Sequence, residues 1–280
     1  MGNLELERKS NPSTFRKLAI GTWDNAAEAS VYGSLTLRME PALAYLAAFR
    51  AATGRHATVT HLMGRAMAEA LRRMPDANAL LRARRVYLRK RVSVFFQVAM
   101  EDPATGELDL SGTVLRDADQ KSLAECVDEC NARFAKVKAH KDRELEGTRS
   151  LLSRLPGPLV GSMLRATSFL SYELNLDLRR LGIPRDAFGS VMITNIGSIG
   201  LQEAYVPLIA YSRVPMILAL GNVEDVPVVD DGELVAGKTM KVCATFDHRL
   251  LDGSHAVVIA RTLREWFAHP FDHFDPVPRP

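Results

Sequence analysis

The chain has 280 residues, 47% hydrophobic and 25% charged, with 36 basic against 33 acidic side chains and a net charge of +3. That composition suits a globular protein with a real core, and so slight a charge balance argues for neither nucleic acid nor membrane as a partner. Three cysteines in this length suit a reducing compartment.

The N-terminus, "MGNLELERKSNPSTFRK", has no apolar core of the kind a signal peptide carries. The longest apolar stretch, "LPGPLVGSMLRATSFLSYELNL", is broken by Pro156, Pro158 and Arg165. It falls short of the ~18 uninterrupted apolar residues of a membrane span. The expectation is a soluble, cytoplasmic protein.

In chain order, "ASVYGSLTLRME" alternates apolar with small or polar residues and reads as a strand. Pro41 opens an Ala-rich helix that Gly54 closes. "TVTHLMGRAMAEALRRMP" is a second helix, stopped by Pro75. "RVYLRKRVSVFFQVAME" is rich in β-branched and aromatic residues and reads as one or two strands before a turn at "DPATGELD". "GTVLRDAD" reads as a short strand and "KSLAECVDECNARFAKVKAHK" as a helix with a polar face. Residues 148–182 are apolar, helical in pattern and interrupted by "PGP". Three strand-like runs follow: "GSVMITNIGSIG", "PMILALGNVEDVPVVDDGELV" and "KTMKVCATF". A last helix, "GSHAVVIARTLREWFAHP", begins just after Asp252.

Helices and strands are mixed, and the C-terminal strands are joined by short turns. The expected fold is α/β in the α+β sense: a two-layer sandwich with a mixed, mostly antiparallel sheet covered by helices. No G-x-G-x-x-G, G-x-S-x-G or G-x-x-x-x-G-K-S/T appears, which removes the dinucleotide, nucleophile-elbow and phosphate-loop readings.

The densest cluster of reactive side chains is "ATFDHRLLDGSHA", Ala244 to Ala256. His248 follows an apolar strand and precedes a helix, a junction that can hold a side chain fixed yet reachable. An imidazole can take a proton from a thiol of pKa ~8.5 near neutral pH. The plainer reading is that this segment only starts a helix, with Asp252 accepting N–H bonds at its first turn. Cys126 and Cys130 stand four apart on a predicted helix with no further Cys or His at zinc-ligand spacing, so they read as buried, idle thiols and no metal site is assigned. His255 reads as packing or surface.

"FDHRLLDGSHA" resembles the D-H-R-x-x-D-G signature of the acyltransferase cores of 2-oxo acid dehydrogenase complexes, the dihydrolipoamide acyltransferases. It is also similar to the H-H-x-x-x-D-G of chloramphenicol acetyltransferases, which share that fold. "GSVMITNIGSIG", "FRKLA", "HLMGRAMAEALRRMPDANALL" and "LRDADQKSLAE" resemble further family motifs, in the family's order, over about residues 15–270.

The resemblance implies a chloramphenicol acetyltransferase-like fold and an acyl transfer between coenzyme A and a dihydrolipoamide-like thiol. His248 would be the general base and Thr194 the oxyanion donor. Asp252 would orient the site, through hydrogen bonds or an ion pair with Arg16 or Arg249, and Asn195 and Gly253 would support it. Coenzyme A would enter as the acyl-CoA substrate. The resemblance further implies a homotrimer with the site between subunits. Assembly into a larger cage is left open, because "FDHFDPVPRP" is not the family's cage anchor. Of the basic side chains, the run from Arg72 to Arg91 holds eight Arg or Lys in twenty residues. It reads as a solvated face, or as charges that meet coenzyme A phosphates or an acidic carrier domain.

These 280 residues include no lipoyl-bearing hairpin and no Ala/Pro linker, so the expectation is either a lipoyl group from another protein, a lipoyl carrier or a dehydrogenase-complex partner, or a different acyl carrier. The expected organisation is an N-terminal arm at 1–14, a catalytic core at 15–270 and an irregular tail at 271–280. The core carries an apolar helical insertion at about 147–189. The alternative to an enzyme is a core of reduced or lost activity that serves as a trimeric scaffold.

Overall fold

The structure is a computed structural model that describes residues 2–8, 29–101, 108–138 and 157–279. Its centre is a six-stranded sheet in the order β2-β9-β8-β7-β5-β6. These strands are β2 (Ser30–Arg38), β5 (Val94–Glu101), β6 (Leu108–Leu115), β7 (Val191–Asn195), β8 (Met216–Asp230) and β9 (Glu233–Asp247). Three of its pairings are antiparallel; β7 runs parallel to both β5 and β8. A second, smaller sheet joins β1 (Leu6–Arg8), β4 (Arg85–Arg89) and β3 (Ala79–Arg82), all antiparallel.

Strand alternation sorts the large sheet into two faces. Val94, Phe96, Val191, Ile193, Met216, Leu218, Met240 and Val242 point into the main core. Four helices cover that face: α1 (Glu40–Thr53), α2 (Val59–Arg73), α3 (Leu123–Lys138) and α5 (Gly253–Ala268). Their contribution includes Tyr45, Phe49, Met63, Met67, Leu123 and Trp266, each under 5% exposed. The other face buries Phe95, Met192 and Ile217 under Leu208 and Val214 of the segment before β8. Helix α1 begins with Pro41 in its first turn and ends at Gly54 with φ +68°, as the proline and glycine signals indicate.

Between these halves lies α4 (Gly157–Ser168), which runs into one wide turn, Phe169–Glu173. This insertion packs on its own chain. Tyr172 is buried with Leu4 and Leu80. Glu173 makes three contacts to two other segments: its carbonyl accepts from Arg82 Nε at 2.6 Å, its carboxylate accepts from Ala83 N at 2.6 Å, and it pairs with Arg213 at 3.1 Å.

Both ends, where described, pack against the rest of the chain. The N-terminal arm is tied down: β1 pairs with β4, and Leu4 exchanges hydrogen bonds with the Asn175 side chain at 2.7 and 3.1 Å. The tail is not simply irregular, because it opens with a helical turn, α6 (Pro270–His273), and then packs. The Asp275 carboxylate accepts from Leu123 N at 2.7 Å and Ala124 N at 2.9 Å, and its carbonyl accepts from the Tyr45 hydroxyl at 2.9 Å. The tail therefore supplies the N-terminal cap of α3 from 150 residues away in sequence. The expected turn at "DPATGELD" falls mostly on 102–107, outside the described residues.

Replacing Asp275 with Ala removes both capping bonds and should cost about 0.5–2 kcal/mol of stability, read as a lower urea midpoint at unchanged slope.

Candidate active site

Strand β9 ends at Asp247 and α5 begins at Gly253, so the five residues between make one tight turn. Asp247 builds it. Its backbone oxygen accepts from Leu250 N and Leu251 N, both at 2.9 Å. Its carboxylate takes a fork from Arg249, Nε at 2.9 Å and Nη2 at 2.7 Å, and accepts Arg249 N at 3.0 Å. Both side chains of this ion pair are buried, and Leu250 and Leu251 anchor the turn in the core.

His248 sits half-buried inside that frame, with its N–H on the Ala29 carbonyl at 2.8 Å. Its Nδ1 lies 2.7 Å from the Leu251 carbonyl oxygen. A carbonyl only accepts, so Nδ1 carries the proton in the neutral ring and Nε2 is left with the lone pair. The turn thus presents a base of fixed tautomer and fixed direction.

Asp252 does the capping that the plainer sequence reading assigned to it. Its Oδ1 accepts from Ser254 N at 3.0 Å and from the Ser254 hydroxyl at 2.6 Å. The same oxygen lies 2.8 Å from His255 Nδ1, and that ring is buried. Of the two partners expected for Asp252, Arg249 forks onto Asp247, two residues away on the same turn. Arg16 lies outside the described residues. Gly253 has open space where a Cβ would stand, so nothing within the described chain requires glycine there.

Thr194 stands near the end of β7, half-buried, with no hydrogen bond from its hydroxyl among the described residues. Asn195 shapes the turn that follows: its Oδ1 accepts Ser198 N at 3.1 Å, and its Nδ2 donates to Thr60 Oγ1 at 3.0 Å. That turn lies directly on β8. A Cβ at Gly197 would come within 2.5 Å of Asn222 N, and one at Gly221 within 2.1 Å of the Gln202 oxygen. Glycine at both positions is what lets the two segments touch.

The sheet register fixes how far Thr194 is from His248. Thr194 pairs with Ala219 and Ala219 with Cys243, so His248 lies five residues further along and two strands across. At ~3.3 Å per residue and ~4.8 Å per strand, the separation is roughly 19 Å. One chain does not bring its own base and hydroxyl together.

Beside the His248 turn is a cavity of about 530 Å³, a size typical of small-molecule pockets. It lies between Arg165 and Phe169 of the insertion, Tyr211 and Arg213 before β8, and Asp247 and Arg249 of the turn. Sequence reasoning missed Asp247, the Leu251 carbonyl and this wall. The i, i+2 spacing of acid and base in "DHR" was the available signal for the fork.

Cys126 and Cys130 are buried on α3, and burial pushes the Cys126 thiol up to about 12 and Cys130 upward as well. No metal-binding group of His, Cys, Asp or Glu occurs among the described residues.

Residues 13–153 and 185–274 match the family described as 2-oxoacid dehydrogenases acyltransferase (catalytic domain). The chain belongs to that family. The match is interrupted at 154–184, inside the segment set apart above as an insertion. A Bacillus subtilis relative is the dihydrolipoyllysine-residue acetyltransferase component of a pyruvate dehydrogenase complex. It is 42% identical over 67 residues, which is 24% of this chain and 15% of the relative. The Staphylococcus aureus protein of the same description is 42% identical over 62 residues, 22% of this chain and 14% of its own. The aligned parts thus span well under a quarter of these relatives' lengths.

Solved structures carry the fold. A probable dihydrolipoamide acetyltransferase from Listeria monocytogenes has a TM-score of 0.65 at 16% identity, covering 96% of this chain and 98% of that one. The cubic core of a pyruvate dehydrogenase multienzyme complex gives 0.63 at 21%, covering 95% and 93%. A chloramphenicol acetyltransferase gives 0.50 at 11%, covering 94% and 100%. The family resemblance and the chloramphenicol acetyltransferase-like fold expected from the motifs are both borne out.

Arg249→Ala would leave the buried Asp247 carboxylate without its fork and should lower stability by roughly 3–5 kcal/mol in denaturant titration. With all three cysteines buried, iodoacetamide at neutral pH should label none of them in the native chain and all three after unfolding, as counted by mass spectrometry.

Proposed function

We propose that this chain transfers an acyl group between coenzyme A and a dihydrolipoamide-like thiol, using His248 as general base and the partner subunit's Thr194 as oxyanion donor. The observation that carries this reading is the 2.7 Å contact from His248 Nδ1 to the Leu251 carbonyl, which leaves the lone pair of the neutral ring on Nε2. Membership of an acyltransferase family supports it.

His248 Nε2 takes the proton from the acceptor thiol as its sulfur attacks the thioester carbonyl. The tetrahedral oxyanion accepts a hydrogen bond from the threonine hydroxyl. Collapse breaks the bond to the leaving sulfur, and His248 returns the proton to that thiolate. A preorganised donor at the developing charge contributes ~2.7–4 kcal/mol. The hydroxyl of Thr194 has no competing bond among the described residues, which suits it to this use.

The trimer enters through the register. A base and a hydroxyl roughly 19 Å apart in one chain can serve one reaction only if two subunits share the site. Residues 15–270 form the catalytic core in this reading. A lipoyl group carried by another protein is the acceptor it implies, with coenzyme A as the acyl donor or product, and trimers are the unit from which a larger cage would be built. The scaffold alternative predicts no rate to lose.

The test is acyl-CoA turnover with dihydrolipoamide. His248→Ala should lower kcat by ~10²–10⁴ and Thr194→Ala by ~10²–10³. Co-expressing the two variants should restore roughly a quarter of the wild-type sites in mixed trimers. Equal rates in wild type and His248→Ala would sink the base assignment; no recovery on mixing would sink the shared site.

A further inference from the structure

Away from the His248 turn, a cleft of about 280 Å³ opens between the N-terminal segment, the end of β4 and the end of the insertion. Five arginines line it: Arg89, Arg91, Arg116, Arg179 and Arg185. Only two carboxylates, Glu5 and Asp186, share its wall. It has no lining residue in common with the cavity beside His248.

Several of these cations have local partners. Arg179 forks onto Asp177 at 2.6 and 3.0 Å, and Arg185 Nε donates to the Asn3 carbonyl at 2.5 Å. Arg91 reaches Glu5 and Asp117 only at 3.4 Å. Arg89 differs from the rest. Its side chain is 3% exposed, and its Nη1 pairs with Asp186 at 2.5 Å, yet Nε and Nη2 are buried with no hydrogen-bond partner. Buried donors lose their water, and nearly all of them find an acceptor in native proteins.

The two orphaned nitrogens are neighbours on one edge of the guanidinium. That edge is the one that meets two oxygens of an oxyanion in parallel. The backbone of Arg89 is held at the end of β4 by pairing with Leu6 of β1 and by its N–H on the Asn78 carbonyl at 2.8 Å, and the guanidinium is held by Nη1 on Asp186.

We infer that this cleft is a phosphate-binding site separate from the acyl-transfer site, with the Nε–Nη2 edge of Arg89 as its seat. With Asp177 and Asp117 counted beside Glu5 and Asp186, five guanidinium groups meet four carboxylates among the described residues, an excess of positive charge that favours an anion such as phosphate, which carries about −1.5 to −2 at neutral pH. The volume lies just under the ~300–1,000 Å³ usual for drug-sized ligands, so the occupant is free phosphate or the phosphoryl end of a small metabolite. Of the lining residues, Arg179 in the insertion and Asn3, Leu4 and Glu5 of the N-terminal segment lie outside the family match, whereas Arg89 lies inside it. The occupant of the cleft would fasten the N-terminal segment to the insertion. Nothing in this inference depends on acyl transfer.

The test is calorimetric titration of the full chain with inorganic phosphate and with glycerol 3-phosphate, at ionic strength held constant with sodium chloride. Saturable binding is expected, and the tighter of the two ligands identifies the source. Arg89→Lys keeps a charge for Asp186 but removes the two-donor edge, and should weaken binding about tenfold or more. Arg116→Ala, at a half-buried position, should weaken it several-fold, and His248→Ala should leave it unchanged. Circular dichroism reports folding; if Arg89→Lys does not fold, Arg116→Ala decides. Absence of saturable binding, or unchanged affinity in the folded arginine variants, overturns the site. Coenzyme A that displaces phosphate, and binds more weakly to the same variants, would overturn its separateness.

Discussion

On the proposed reading, the hydrogen bond from His248 Nδ1 to the Leu251 carbonyl is the contact on which the chemistry of this chain rests. An imidazole with no such partner divides its proton between two nitrogens and its orientation among several rotamers. Here the turn removes both freedoms. The carbonyl is in place because Asp247 holds Leu250 N and Leu251 N from one side, while the two leucine side chains are buried on the other. Asp247 is held by Arg249, and α5 starts one residue after Asp252 caps it. Core packing, strand end, ion pair and helix cap therefore converge on one ring nitrogen.

The sheet imposes the second constraint. A ladder cannot slide to bring Thr194 nearer to His248, because a one-residue slip turns every inward side chain outward. Val191, Ile193, Met216 and Leu218 are all buried on the main-core face, so the register is fixed by the core itself. On the proposed reading, each chain offers half of two sites instead of the whole of one. The two halves lie at well-defined points of a rigid sheet, which suits a function that needs sub-ångström placement.

Much of this was legible in the sequence, for physical reasons. Proline and glycine mark the ends of α1, strict alternation marks β2, and the D-H-R-x-x-D-G cluster marks the turn. What stayed hidden was long-range or unorthodox. Strand β3 is four residues long and turns into β4 through Ala83 and Arg84, both at positive φ, where sequence rules look for Asn or Gly. Asp275 reads as part of a proline-rich tail, and nothing local says that it caps a helix beginning at Leu123. Asp252 and Arg249 were natural partners by charge, but Asp247 is nearer to Arg249 on the turn and is buried with it. The insertion was visible as excess apolar length, whereas its anchor, Glu173, is a single polar residue that no periodicity distinguishes.

That anchor bears on how the molecule opens. Glu173 is shared by the β3–β4 hairpin, by the insertion that carries it and by Arg213 in the segment leading to β8. Releasing the insertion strips an acceptor from the other two at once. The hairpin and the Arg213 segment are therefore each linked to the insertion, and local opening of the insertion is expected to loosen both. Since the insertion and the Arg213 segment also wall the cavity beside His248, the shape of that cavity is tied to the integrity of a hairpin that contributes only Leu81 to its lining.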